Sequence, residues 1–122
     1  MNAPIVLLLL LQTAIVNNPA QALYDRIYSE HRPAERLKLI AEFESKFAPG
    51  GSKLANAQMK GQVFSFATDI YQQQNNGAKV LEYGEKTLQN DPDNLHVLVL
   101  LAHQYLLTAD GAGHTPTMPN VP

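Results

Sequence analysis

The chain has no cysteine. That absence removes disulfides, thiolate catalysis, cysteine-ligated zinc and the lipid-modified cysteine of a bacterial lipoprotein, and it leaves the compartment open. Charge is sparse: nine Lys and Arg stand against eleven Asp and Glu, 16% of 122 residues, for a net −2. Without a summed positive field, nucleic acid and anionic membrane surfaces are not expected partners. No G-x-S-x-G elbow and no glycine-rich phosphate loop is present, so nothing points to an enzyme or to a cofactor. Beyond Ala22 there is no sustained period-2 alternation of β-branched residues, which excludes a sheet.

What is there begins with an apolar run over residues 5–11, carried on through Gln12, Thr13, Ala14, Ile15 and Val16 to a helix-breaking Pro19, with small Ala20 and Ala22 behind it. These are the parts of a secretory signal peptide with an A-x-A site, and the expected cut follows Ala22. The run is short of the roughly 20 apolar residues needed to span a bilayer. Residues 1–4 carry no Lys or Arg, which keeps an uncleaved hydrophobic anchor and a buried first helix open as alternatives. The expected location is therefore the periplasm or cell envelope, with membrane contact only through an uncleaved N-terminal segment.

The rest reads as helices, and the 45% hydrophobic content fits one modest globular core. Leu23, Tyr24, Ile27 and Tyr28 form a short stripe that breaks at His31-Arg32-Pro33. Leu37, Ile40, Phe43 and Phe47 form a second, ended by Ala48-Pro49-Gly50-Gly51. Ser52 is the expected N-cap of a long helix reaching Gln74, and Gln72-Gln73-Gln74-Asn75-Asn76-Gly77 the polar loop after it. A fourth helix carries Val80, Leu81, Gly84 and Leu88 and closes at Asn90-Asp91-Pro92-Asp93-Asn94; a fifth covers residues 95–108.

A period of 34 residues links two of these helices: Phe64, Ala67, Thr68 and Tyr71 recur as Leu98, Leu101, Ala102 and Tyr105. Val80, Gly84, Thr87 and Leu88 supply the small and apolar face of a second helix that nests against the first. With Tyr71 through Gly77, the Lys79 to Lys86 segment and the Asn90 to Asn94 turn, residues 61–94 resemble one tetratricopeptide repeat, and the fifth helix resembles the start of the next. Residues 34–55 are similar, more distantly, to the degenerate repeats of bacterial envelope scaffold proteins. The resemblance implies an all-α fold of antiparallel helical hairpins stacked as a short right-handed solenoid over residues 23–109, followed by a tail over residues 110–122. It also implies a concave groove for a protein or peptide partner, lined here by Gln62, Ser65, Asp69 and Gln72 and by His96, Val99, His103 and Leu106.

Other constellations have plainer explanations. His96 and His103 stand seven apart, about 10.5 Å along a helix, whereas zinc helices place two ligands four apart. The acidic turn at Asn90 to Asn94 lacks the glycine and the closing glutamate of an EF-hand loop and suits a helix-capping turn. Glu42, Glu44, Glu82 and Glu85 lie beside Lys38, Lys46, Lys79 and Lys86 on polar faces, a pattern of surface pairing.

Residues 95–109 contain no Lys, Arg, Asp or Glu, and Val97, Leu98, Val99, Leu100, Leu101, Leu106 and Leu107 make the segment apolar nearly all round. A terminal solenoid helix is ordinarily polar outside. Two functions follow as expectations: a non-enzymatic interaction module holding another protein, or a self-associating or truncated unit of a longer repeat protein that uses residues 95–107.

Overall fold

The computed structural model describes residues 18–49 and 53–111. Five helices account for most of them: α1 (Pro19–Ser29), α2 (Pro33–Phe47), α3 (Ala57–Gln73), α4 (Gly77–Asn90) and α5 (Leu95–Gly111). The described chain is all-α, and neighbouring helices pack in the manner of a helical-repeat protein. Two compact units divide between Met59 and Lys60.

In the first unit, α1 starts on Asn18, whose side chain accepts from the backbone N–H of Ala20 and Gln21, with Pro19 preset for the first turn. Ala20, Leu23 and Ile27 are its buried face, and Ile40, Phe43 and Phe47 that of α2, each set at helical spacing. The connection is clamped by charge. Glu30 accepts from the Arg32 backbone N–H and from two nitrogens of its guanidinium, all at 3.0 Å, a fork that fixes both groups. The Arg36 guanidinium donates to the Ile27 carbonyl at 2.9 Å, a second and shorter bond at an acceptor that the Glu30 N–H reaches at 3.3 Å.

The second unit takes in most of α3 with α4 and α5. The expected cap Ser52 lies outside the described residues, and α3 begins later than the sequence reading placed it. Lys53 and Leu54 form a turn, and Asn56 caps the helix by accepting from the Met59 N–H at 2.8 Å. At its other end, Asn75 takes the left-handed conformation at φ 55°. The Asn76 N–H then reaches the Tyr71 carbonyl and the Asn75 N–H that of Gln72, the paired closure of a Schellman turn with asparagine where glycine is usual. Asn76 next caps α4 by accepting from Lys79 N–H, and Asn94 caps α5 by accepting from Val97 N–H. Helix α5 runs to Gly111, two residues into the stretch expected to be tail.

Tyr83 joins α4 to α3: its ring lies 5.5 Å from Tyr71 and 6.0 Å from Phe64, centroid to centroid, with Lys86 Nζ 4.6 Å from its own centroid. Thr68 and Thr87, fully buried, donate to the carbonyls of Phe64 and Tyr83 four residues back, so burial leaves neither hydroxyl unpaired. On the far side of α4, Gly84 meets α5. A side chain added there would lie 2.6 Å from Leu101 Cδ2 and 2.9 Å from its Cγ, and Leu101 is itself buried.

Two predictions follow from this packing. Gly84→Ala gains about 1 kcal/mol of helix propensity but overpacks against Leu101 at about 1–3 kcal/mol, so urea denaturation should show a net loss of about 1 kcal/mol. In a Leu101→Ala background the same change should become stabilising; a loss of equal size there would mean that Leu101 is not what Gly84 makes room for. The second concerns acid. The Arg32 hydrogen bonds hold the Glu30 carboxyl at about 2, below its ordinary 4.5. Its contribution is thus present above pH ~4.5 and fades as pH falls towards 2. Glu30→Gln should melt below the parent protein at pH 6 in low salt, and the gap should close by about pH 2 and shrink in molar salt.

Candidate functional site

The eight residues expected to line a groove all fall in the second unit. Gln62 is exposed on α3, with Ser65, Asp69 and Gln72 half-buried; His96, Val99, His103 and Leu106 are exposed on α5. Their positions follow from what the two helices bury. On α3 the inward face takes Val63, Phe64, Ala67, Thr68 and Ile70, so Gln62, Ser65, Asp69 and Gln72 are turned to the other side. On α5, Val97 and Leu101 point inward. One pair is brought together: His96 Nε2 lies 2.6 Å from Asp69 Oδ1. The repeat resemblance implied a groove position for both residues but not this contact, because a bond across 27 residues depends on the tilt of α5 against α3.

That pair is solvent-exposed on both sides, and such ion pairs contribute little to stability. Among the described residues, no group of three or more His, Asp and Glu is placed to hold a metal ion. The surface carboxylates are largely occupied by cations: Lys46 with Glu42 at 3.0 Å, and Lys79 and Lys86 with Glu82 at 3.0 and 3.3 Å. Lysine hydrogen bonding holds Glu42 and Glu82 below the ordinary carboxylate range, against the opposing effect of their partial desolvation. Lys38 pairs with Glu35, and Glu85 accepts a 2.6 Å hydrogen bond from the Tyr105 hydroxyl. That bond to a carboxylate raises the Tyr105 pKa. A shallow cleft in the first unit, lined by Pro19, Leu23, Arg26, Glu42, Lys46 and Phe47, has the mixed lining of a helix-pair edge.

The larger feature is the outer side of α5, and the 34-residue register shows what is unusual about it. Val63 and Val97 are both fully buried, as is Ala67, and its counterpart Leu101 nearly so. The register then divides: Phe64, 4% exposed against Tyr83, corresponds to Leu98 at 42%, and Tyr71, stacked on Tyr83, corresponds to Tyr105 at 51%. Leu95 at 71%, Val99 at 59% and Leu106 at 54% extend the bare strip, and Leu107 is exposed on another side of the helix. On α3 the positions of Leu98 and Tyr105 are those that Tyr83 of α4 covers, while the positions of Val99 and Leu106 are held by half-buried Ser65 and Gln72. On α5 they face solvent, and the helix carries no charge over residues 95–109 to make that face hydrophilic. Among the described residues, no helix is long and apolar enough to cross a membrane.

No family model, curated protein or solved structure matches the chain, so the meaning of this face rests on its residues alone.

Proposed function

We propose that this chain is a non-enzymatic protein-interaction module of the tetratricopeptide-repeat kind, exported to the bacterial periplasm or cell envelope, where it holds a protein or peptide partner. The observation that carries the reading is the bare repeat face of α5. Exposed apolar patches beyond the few hundred Å² of an ordinary protein surface mark interaction sites; this one holds Leu98 and Tyr105, whose counterparts Phe64 and Tyr71 pack on Tyr83 of α4, with Val99 and Leu106 beside them. The groove residues Gln62, Ser65, Asp69, Gln72, His96 and His103 border that strip and supply hydrogen-bonding groups for its polar rim, while Val99 and Leu106 belong to the strip itself. An apolar centre with a polar edge is the usual anatomy of a protein interface.

Most of the binding free energy belongs to the apolar anchors, because rim groups exchange water for partner at little net gain. With the full chain immobilised and a partner recovered from envelope extract, Val99→Asp/Leu106→Asp should weaken binding at least tenfold while far-UV circular dichroism stays helical. Gln72→Ala or His103→Ala should change it less than about threefold. If the aspartate pair left affinity intact, the contact would not be on this helix.

The export half of the reading has its own test. N-terminal sequencing of the exported chain should return Leu23 as the first residue. Such a cut removes the Asn18 cap, Pro19 and the buried Ala20 from α1. The trimmed chain should accordingly be less stable than the full one by at least the roughly 1 kcal/mol of a lost cap. An intact first helix on the exported protein would favour the uncleaved anchor.

A further inference from the structure

The geometry points to a second copy of this chain as the occupant of the α5 face, paired antiparallel about Ala102. This inference rests on the interaction-module reading and names its partner.

Along one side of α5 the exposed apolar positions are Leu95, Leu98, Val99, Ala102, Tyr105 and Leu106, with half-buried Ala109 continuing the series and exposed Leu107 lying outside it. Counted from Leu95, Leu98, Ala102, Tyr105 and Ala109 follow at alternating steps of three and four, and Val99 and Leu106 widen the strip on one side. That is the spacing of a helix–helix seam. The strip is self-complementary when reversed. Positions equidistant from Ala102 meet: Leu95 opposes Ala109, Leu98 opposes Leu106, and Val99 opposes Tyr105, each pair occurring twice across a two-fold axis. Large residues meet small ones at both ends, and at the axis two alanines allow close approach. A parallel pairing would set Leu95 on Leu95 and Tyr105 on Tyr105 while leaving Ala109 on Ala109, crowding some layers and emptying others. It would also align the two helix dipoles, which the antiparallel arrangement opposes.

Charge and area agree with this occupant. No Lys, Arg, Asp or Glu falls over residues 95–109, so self-pairing sets no charged side chain of α5 against its copy; the nearest carboxylate, Glu85, is held by the Tyr105 hydroxyl at the edge of the strip. The 17-residue helix is about 25 Å long. Its outer face offers on the order of 500–600 Å² per copy, close to the roughly 600 Å² at which specific interfaces begin. Area alone does not set affinity; for an interface at the lower edge of the specific range the expected midpoint is micromolar, on the order of 1–50 μM.

Light scattering of the full chain across this concentration range should show a monomer–dimer transition. Ala102→Glu, which sets two carboxylates face to face at the axis, should raise its midpoint at least a hundredfold without loss of helicity. Ala41→Glu, on an exposed part of α2, should leave it within about threefold. Because the chain is free of cysteine, single cysteines report the register directly, whether or not Ala102→Glu folds. Ala102→Cys should cross-link to itself under mild oxidation. Leu98→Cys should not, but should cross-link when mixed with Leu106→Cys. A chain that stays monomeric to millimolar concentration overturns the proposal, as does a dimer indifferent to Ala102→Glu or a Leu98→Cys variant that cross-links to itself as readily as Ala102→Cys. A monomer that still binds an envelope protein through Val99 and Leu106 removes the pairing and keeps the module. A dimer with the predicted cross-links that binds no other protein keeps the pairing and removes the wider module reading.

Discussion

Two adjacent residues of α4 hold the second unit together by opposite means. Tyr83 fills space: its ring contacts Phe64 and Tyr71, and the Lys86 ammonium sits over it, so an aromatic cluster and a cation fix the distance between α3 and α4. Gly84 vacates space on the side facing α5, where Leu101 occupies the volume a side chain would need. The large residue sets one helix spacing and the absent side chain sets the other, and both helices are referred to the same turn of α4. Since Leu101 and Val97 are the residues α5 buries, the orientation of its outer face follows from the contact with Gly84. Were α5 forced outward, the His96–Asp69 bond and the Tyr105–Glu85 bond, both on its flanks, would have to be remade.

The boundaries of this unit depend on asparagine more than its sequence pattern first indicates. Asn56, Asn76 and Asn94 each cap a helix, and Asn75 closes α3 in a left-handed turn that most side chains resist. The turns at Asn75 and Asn94 were legible, because a run of polar residues between two periodic segments has few other meanings. Asn56 was not: Ser52 is also a good cap, lies closer to Pro49-Gly50-Gly51, and the apolar Leu54 tempts the helix register back towards it. In the structure Leu54 is exposed and in a turn. Helical periodicity located the cores because burial is what creates the period. It could not place a start that depends on which of two capping side chains finds a free N–H.

The candidate site divides along the same line. That residues 95–109 would be apolar on too many sides could be read directly, since no Lys, Arg, Asp or Glu falls among them. Which of those residues end up outside could not be read, since a helix apolar all round has no periodic signal to orient it. The 34-residue register resolves this once α3 is seen packed: Leu98, Ala102 and Tyr105 stand where α4 would lie in a completed hairpin, and Val97 and Leu101 where the preceding hairpin receives α5. The pairing of Asp69 with His96 was beyond sequence for a different reason, being set by the relative tilt of two helices rather than by either one.

Burying a leucine or valine fully is worth roughly 1.5–3 kcal/mol, and Leu98, Val99 and Leu106 are each about half exposed, so the outer face of α5 forgoes about half of that at each unless something covers it. Few packed helices bury little apolar surface, so an exposed apolar face bears on stability as much as on recognition. Val99 and Leu106 sharpen the consequence, because they belong both to the groove that the repeat resemblance implies and to the seam that would meet a second copy. One surface cannot serve both at once. A chain paired through α5 would present Gln62, Ser65, Asp69 and Gln72 without their apolar neighbours. A bound peptide that used Val99 and Leu106 would have to displace the pairing first. Self-association on this face therefore works as competition for any other ligand, and the affinity of such a ligand would fall as the concentration of the chain itself rose.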